Sequence, residues 1–270
     1  FEVPSEPLNL SPVVAKAHPG HPGTSELLGR AIVSAAEKSG VPAGVFGMVQ
    51  GRGHEVGLAL VRHPLTRVVA FTGSQAGGRA LFDAAAARPD PIPVCAEMGS
   101  TNPVFVLPGA MAERGAEIAE GYVQSVTLGT GQFCTNPGVL LAVEGPALVA
   151  FLDRVAAAAA AVAPSTMLNE GICRAFHGGL DRVRQTHGVR VLRESHARAD
   201  RARAEAGCAI FTASLSQLGP SSIVIVCPGA DDLERAARRL HGHLTASIHA
   251  TAAELESNRQ LVAALERHVG

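Results

Sequence analysis

Apolar positions along the chain alternate between short β-branched runs and longer segments whose apolar residues recur every three or four positions. The first run, at residues 12–16, is typical of a strand, and residues 24–39 show the helical spacing. For that helix we predict Thr24 as the N-cap and Gly40 as the residue that stops it. Further strands are predicted at 45–49, 67–72 and 93–97, and further helices at 54–62 and 75–87.

A second alternating series follows Met98. The pattern predicts strands at 102–107, 139–143, 189–192 and 222–227, and helices at 112–128, 148–162, 169–183, 231–240 and 252–268. Strands that alternate with helices indicate an α/β protein whose parallel sheet is covered on both faces. We therefore predict two domains, which comprise residues 1–97 and 98–270.

Three polar residues, Lys16, Ser74 and Glu97, fall at the ends of predicted strands. In a parallel sheet with right-handed crossovers, ligand-binding loops lie beyond the carboxyl ends of the strands. These positions are therefore the first indication of a functional site.

The composition supports a globular protein and excludes several other classes. With 270 residues, 47% of them hydrophobic and 17% charged, the chain can bury a sizeable core. A formal net charge of -1 gives no strong field toward nucleic acid or an acidic membrane, so neither is expected as a partner. No apolar run reaches the length of a membrane span, and the stretch at 155–163 is predicted to be a buried helix.

Five cysteines are spread along the chain without a Cys-x-x-Cys pair, which argues against a zinc site or a disulfide framework and favours the reducing cytoplasm. Cys134 lies in a glycine-flanked loop, where the backbone can approach a ligand closely. A thiolate there could attack a carbonyl, with backbone N–H groups holding the oxyanion. A buried small apolar residue is the alternative. The remaining four are expected in the core: Cys95, Cys173, Cys208 and Cys227.

Glu97 ends an apolar strand, where a carboxylate is costly to bury unless it has a partner or a task. One such task is that of a general base that activates water. A strand-end salt bridge is the alternative.

The segment 71–78 ends a strand and opens a helix with small residues, among them Gly73, Ser74 and Gly77. Free N–H groups and the helix dipole make such a turn an anion site that could hold a pyrophosphate. The segment matches neither a Gly-x-Gly-x-x-Gly fingerprint nor a P-loop, so a plain strand–helix turn stays open.

Lys16 at its strand end could bind ribose hydroxyls or a phosphate as a point charge. His18 and His21 follow it, but the Pro and Gly residues between them prevent a helix, so no metal site is expected.

Four segments together resemble the aldehyde dehydrogenase superfamily, and most closely its α-ketoglutaric semialdehyde dehydrogenase branch, with the bacterial NADP-dependent fatty aldehyde dehydrogenases as near relatives. They are residues 14–19, 71–74, 96–100 and 131–138, and their order and separation carry the resemblance. It implies a Rossmann-type, parallel-sheet NAD(P)-binding domain over 1–97 and an α/β catalytic thiol domain over 98–270. Both domains would be partial, because the family is considerably longer than this chain.

The resemblance also implies a role for each matched residue. Cys134 matches the nucleophile that forms a thiohemiacetal and, after hydride transfer to the nicotinamide, a thioester. Glu97 matches the base that activates water to hydrolyse this thioester. Lys16 matches the adenosine-ribose ligand, and Gly73 and Ser74 match the turn near the pyrophosphate, which Gly77 continues.

His18 and Pro19 stand where the family commonly has a glutamate for the NAD ribose. Without that carboxylate there is no repulsion toward a 2′-phosphate, so NADP is open as well as NAD.

The implied reaction is oxidation of an aldehyde by NAD(P)⁺ and water, most closely α-ketoglutaric semialdehyde to 2-oxoglutarate, in a homodimer or homotetramer of the full-length protein. A broader fatty-aldehyde dehydrogenase and a non-catalytic remnant that binds nucleotide or a partner are the alternatives.

Two departures weaken the enzyme interpretation: Ser5 stands at the place of the family's oxyanion-holding Asn, and Ser216 at that of the Glu that holds the nicotinamide ribose. Loss of such an amide donor typically costs about 10²–10³ in rate. The sequence is therefore either a set of joined pieces from a longer enzyme or a degenerate chain.

Overall fold

A computed structural model describes residues 11–214, 223–240 and 242–267. The chain divides into two compact units, Phe1–Met98 and Gly99–Gly270, and each is described by itself. The substitutions noted at Ser5 and Ser216 lie outside the described residues.

The first unit contains two pairs of parallel strands. Its strands are β1 (Val13–Lys16), β2 (Phe46–Val49), β3 (Val69–Gly73) and β4 (Val94–Met98), and its helices are α1 (Pro22–Lys38), α2 (Glu55–Arg62) and α3 (Gln75–Ala86). In the described residues β1 pairs with β2 and β3 with β4; both pairs are parallel, as predicted, but they form two separate two-stranded sheets. Because a two-stranded sheet is too narrow to cover a long helix, apolar side chains of α1 stay exposed, including Leu27 and Leu28.

Helix α1 begins two residues earlier than its apolar pattern predicts. His21 is the N-cap and Pro22 opens the helix, so Thr24 lies inside the first turn and its prediction as the cap is wrong. Proline fits this position because the first helical N–H has no intrahelical partner. Gly40 follows the end of the helix with φ +68°, as expected of a residue that stops it.

The second unit is built on a mixed six-stranded sheet in the order β12-β5-β6-β11-β10-β8. The strands of this unit are β5 (Val104–Val106), β6 (Val139–Val143), β7 (Ser165–Thr166), β8 (Arg190–Glu194), β9 (Glu205–Ala206), β10 (Ala209–Ser214), β11 (Ile223–Cys227) and β12 (Ser247–His249). All neighbours in the six-stranded sheet are parallel except β8, which runs antiparallel to β10, so the predicted parallel sheet carries one antiparallel edge strand. Strands β7 and β9 form a small antiparallel pair.

Helices cover both faces of this sheet, as predicted. They are α4 (Pro108–Thr127), α5 (Pro146–Ala161), α6 (Glu170–Gln185), α7 (Ala230–Arg239), α8 (Ala252–Ser257) and α9 (Arg259–Glu266). Successive strand residues face opposite sides of the sheet: Leu140 belongs to the apolar cluster that contains Phe151 of α5, whereas Leu141 belongs to the cluster that contains Leu233 of α7. All four of these side chains are buried, so this unit has an apolar core on each face of the sheet.

The helix predicted over 252–268 is divided at Asn258 into α8 and α9. Within the described ranges, no helix combines the length and the apolar character needed to cross a membrane.

Candidate active site

Cys134 lies in the loop between α4 and β6, and its side chain is exposed. Before it, the chain turns through three left-handed residues, Gly129 (φ +57°), Thr130 (φ +58°) and Gly131 (φ +73°). A Cβ atom at Gly129 would come within 2.6 Å of the Phe133 ring, so glycine there serves both the backbone and the packing. Gly129 and Gly131 thus permit the left-handed turn that leads to Cys134.

Polar side chains on either side of Cys134 tie the loop to its surroundings. The Gln132 amide donates to the Gly129 carbonyl (2.9 Å) and accepts from the N–H of Leu168 (3.0 Å). The Asn136 amide donates to the carbonyl of Val126 in α4 (2.7 Å). The loop is therefore held while the thiol projects into solvent.

A buried asparagine, Asn102, lies beneath the same loop. Its amide nitrogen donates to the carbonyls of Cys134 (2.7 Å) and Asn136 (2.9 Å). Asn102 is only 2% exposed. The sequence pattern assigned no functional role to Asn102. Its position before Pro103 and its tolerance of a left-handed backbone (φ +46°) were the available signals.

The loop lies at the amino-terminal edge of the six-stranded sheet, because it leads directly into β6. The rule that ligand loops follow the carboxyl ends of strands therefore does not describe Cys134. It does describe Lys16, Ser74 and Glu97, which lie at or near the carboxyl ends of β1, β3 and β4.

Glu97 is exposed in β4, opposite Thr72 of β3. Its carboxylate has no ion pair among the residues that the structure describes, so the alternative of a strand-end salt bridge has no support there. The expected cost of burying the carboxylate also does not arise.

The turn between β3 and α3 is capped by Ser74, whose hydroxyl accepts from the N–H of Gly77 (3.1 Å). A Cβ atom at Gly73 would approach the tip of the Phe71 ring to 2.6 Å, and one at Gly77 would approach it to 3.0 Å. The ring therefore packs under the glycines. Because Ser74 takes the Gly77 N–H, the first-turn N–H groups that could face an anion are those of Gln75 and Ala76. Pairing of β3 with β4 brings this turn and Glu97 to the same end of one strand pair.

Lys16 is the half-buried last residue of β1, and exposed His18 follows it. The His18 Nδ1 accepts the N–H of Gly20 (3.0 Å), and its ring stacks on that of His21 at 5.0 Å between centroids. Partial desolvation of the ring, together with the positive charges of His21 and Lys16, lowers the pKa of His18 below its ordinary value. No cluster suited to a metal ion occurs in the described part of the chain.

The other cysteines differ from the expectation at one position. Cys173, Cys208 and Cys227 are buried as expected, but Cys95 is exposed. Burial raises the pKa of Cys208 and of Cys227 to about 11, which makes both poor nucleophiles near neutral pH. Cys95 alternates with half-buried neighbours in β4 and shares the exposed face of that strand with Glu97.

The model of the aldehyde dehydrogenase family matches residues 11–172. The α-ketoglutaric semialdehyde dehydrogenase 2 of Azospirillum brasilense is 46% identical over 269 residues, and the α-ketoglutaric semialdehyde dehydrogenase of Acinetobacter baylyi is 37% identical over 270 residues. Each alignment covers 96% of this chain and 51% of the relative, so the chain spans about half the length of the curated relatives it matches.

The fold is also similar to solved structures. The γ-glutamyl-γ-aminobutyraldehyde dehydrogenase from Burkholderia cenocepacia J2315 matches with a TM-score of 0.78 at 23% identity, over 96% of this chain and 53% of that one. The α/β fold class inferred from the pattern of strands and helices is thereby confirmed.

Proposed function

Because the chain belongs to the aldehyde dehydrogenase family, we propose that it oxidises an aldehyde to a carboxylic acid with NAD(P)⁺ through a thioester on Cys134. The observation that carries this proposal is the exposed thiol of Cys134 on a loop that is held by hydrogen bonds of three side chains, those of Asn102, Gln132 and Asn136. A thiolate in this position can attack an aldehyde carbonyl, and nearby backbone N–H groups can stabilise the oxyanion of the resulting thiohemiacetal.

The second half of the reaction needs water. When NAD(P)⁺ is bound, its nicotinamide supplies the acceptor for the hydride that leaves the thiohemiacetal carbon. We assign Glu97 as the base that removes a proton from water, which then attacks the thioester carbonyl and releases the acid and the Cys134 thiol. The net reaction converts aldehyde, NAD(P)⁺ and water into carboxylate, NAD(P)H and two protons.

Residues of the first unit fit the adenosine and phosphate parts of the cofactor. The capped turn at Ser74 offers helix N–H groups to a pyrophosphate, with Gly73 and Gly77 leaving its surface free of Cβ atoms. Lys16 would hold ribose hydroxyls or a phosphate, and His18 can donate to a 2′-phosphate without the repulsion of a carboxylate. These residues accept either NAD or NADP.

We propose α-ketoglutaric semialdehyde as the substrate, with 2-oxoglutarate as the product. The support is the naming of two relatives at 46% and 37% identity, whose alignments cover 96% of this chain. We further place the protein in the cytoplasm as a homodimer or homotetramer when full-length; its five free cysteines fit a reducing compartment.

The experiment compares the chain with its Cys134→Ala variant and with a control, Cys95→Ala, which removes the other exposed thiol. NAD(P)H formation is followed with α-ketoglutaric semialdehyde and with a long-chain aldehyde. We expect turnover with the semialdehyde, its loss in Cys134→Ala and its retention in Cys95→Ala.

Two results would contradict the proposal. Nucleotide binding without any turnover would indicate a non-catalytic remnant. Turnover that survives Cys134→Ala would remove Cys134 from the reaction. Faster oxidation of the long-chain aldehyde would correct the substrate alone.

A further inference from the structure

We propose that Asn102 is a positioning residue for the nucleophile: its buried amide fixes the peptide planes of the Cys134 loop and so aims the thiol. This inference rests on the proposed role of Cys134. It concerns a side chain that touches the loop backbone and not the reacting atoms.

The Asn102 side chain uses both of its ends. Its amide nitrogen donates to the carbonyls of Cys134 (2.7 Å) and Asn136 (2.9 Å). Its oxygen accepts from the Ser100 hydroxyl (2.9 Å) and from the N–H and hydroxyl of Thr245 (both 3.1 Å). Because Asn102 is only 2% exposed, water cannot readily replace these bonds.

These bonds join the amino ends of three neighbouring strands. Ser100 and Asn102 precede β5, the Cys134 loop precedes β6, and Thr245 precedes β12. The three strands are adjacent and parallel, with Val104 of β5 aligned to Ser247 of β12 and to Leu140 of β6. The loop is thus fixed to the edge of the rigid core and not only to its own turn.

The hydrogen bonds from Asn102 explain the orientation of the Cys134 thiol. With the Cys134 carbonyl held inward by Asn102, rotation of the following peptide plane is restricted, and the side chain of Cys134 is left on the solvent side, where it is exposed. A misplacement of about 1 Å can cost roughly 10²-fold in rate, so such a restraint matters for attack on a carbonyl.

Asparagine suits this position in two ways. Its backbone has φ +46°, which Asn tolerates better than most residues. An aspartate would face the carbonyl oxygens of Cys134 and Asn136 with oxygen instead of N–H, so both acceptors would lose their donor.

The test uses Asn102→Gly and Asn102→Asp in the full chain. Glycine removes the amide while easing the left-handed backbone, and aspartate keeps the shape while reversing the polarity. Asn258→Asp is the matched control, because the Asn258 amide also donates to a carbonyl, that of Glu254 (2.8 Å), at the junction of α8 and α9.

Three quantities are measured for each variant: kcat with the semialdehyde, KM for NAD(P)⁺, and hydrogen–deuterium exchange of the peptide spanning 131–138. For both Asn102 variants we expect kcat to fall roughly 10- to 100-fold while the nucleotide KM stays within about twofold. Loss of two hydrogen bonds should speed exchange of the loop by about tenfold or more. Alkylation of the buried thiols Cys173, Cys208 and Cys227 reports whether the unit is still folded, and we expect them to stay protected.

Unchanged kcat and unchanged exchange in folded Asn102→Gly would overturn the proposal, as would an equal fall in kcat for Asn258→Asp. If the unmodified chain shows no turnover, the proposed function fails, and the exchange experiment still decides whether Asn102 restrains the loop.

Discussion

The two units hold their chemistry-bearing residues in opposite ways. In the first, Lys16, Ser74 and Glu97 lie at the carboxyl ends of two-stranded sheets, where they are half-buried or exposed. In the second, Cys134 lies at the amino edge of a six-stranded sheet and is anchored from below by Asn102, a buried side chain. Under the proposed function, the first arrangement would offer N–H groups and charges to a large ligand, whereas the second would fix one nucleophile.

The comparison suggests a division of labour that matches the proposed reaction. A dinucleotide makes many separate contacts, so each exposed strand end needs to contribute only a small part of the binding free energy. A covalent step requires one atom in one place, and a loop hydrogen-bonded to a buried side chain at the edge of the sheet can supply that precision. Removing individual residues should therefore affect the two units differently.

The largest effect is expected at Glu97. Glu97→Gln should lower steady turnover by about 10²–10⁴, because loss of a general base slows hydrolysis of the thioester. The first hydride transfer should be spared, so a burst of NAD(P)H should remain in single-turnover experiments. Glu37→Gln, which alters another exposed glutamate of the first unit, should change neither quantity.

A burst that disappears as completely as turnover would assign Glu97 to activation of the thiol instead. In that event the first unit would act on the nucleophile itself, and the proposed division of labour between the units would be lost.

The next effect concerns stability. Phe105 in β5 is fully buried, and Phe105→Ala should lower the free energy of unfolding of the second unit by about 3–5 kcal/mol. Phe82 in α3 is 47% exposed beneath Arg79, and Phe82→Ala should cost about 1 kcal/mol or less.

Intrinsic fluorescence can report the second unit alone. The chain has one tyrosine and no tryptophan, and that tyrosine, Tyr122, is buried in α4. In urea titrations, Phe105→Ala should shift the Tyr122 transition, and Phe82→Ala should leave it in place. Equal shifts would show that the two cores do not differ in the way that their burial indicates.

The features that could be predicted from the sequence are those that depend on residues nearby in the chain. Residues at a strand or helix boundary can be predicted from the local sequence. Ser74, a small polar residue before a segment with helical apolar spacing, caps α3, and Lys16 ends β1. Cys134 was found by its glycine-rich loop and by resemblance to a family. Its catalytic role, like that of Glu97, stays a prediction.

What could not be predicted depends on distant partners. Asn102 bonds to residues 32, 34 and 143 positions away, and no local pattern encodes such pairings. The antiparallel direction of β8 depends in the same way on a distant partner, since it is seen only in the pairing of β8 with β10. Cys95 was placed in the core because both faces of its strand were assumed to be covered, whereas β4 belongs to a two-stranded sheet.

A smaller effect is expected at the capped turn of the first unit. Ser74→Ala removes the hydroxyl that accepts from Gly77, which should weaken the helix start by about 1 kcal/mol and raise the KM for NAD(P)⁺ roughly fivefold, with kcat little changed. Thr251→Ala is the matched control, because Thr251 caps α8 of the second unit in the same manner. A nucleotide KM that rises equally in both variants would exclude a local role for the Ser74 turn.

The smallest expected effect is a pH-dependent change in the stability of the second unit. Glu254 caps the start of α4, the helix that leads to the Cys134 loop, by accepting from the N–H groups of Gly109 (2.5 Å) and Ala110 (3.1 Å). It also accepts from the N–H of Thr251 (2.9 Å), the N-cap of its own helix, α8. Burial alone would raise the pKa of this carboxyl, but these donors outweigh it, and the pKa lies below its ordinary value. Glu254→Gln should therefore lower the stability of the second unit by about 1 kcal/mol at neutral pH.

The sign of the pH dependence follows from that direction. Because the folded-state pKa is lowered, the contribution of Glu254 is fully present above its unfolded value of about 4.3 and is lost as pH falls through the folded value. The difference in Tyr122 urea midpoints between the chain and Glu254→Gln should thus shrink as the solution is acidified below about pH 4. Glu120→Gln, which changes an exposed carboxylate of the same helix, should show no such pH-dependent difference. A difference that persists in acid would mean that the Glu254 side chain stabilises α4 by packing and not by its charge.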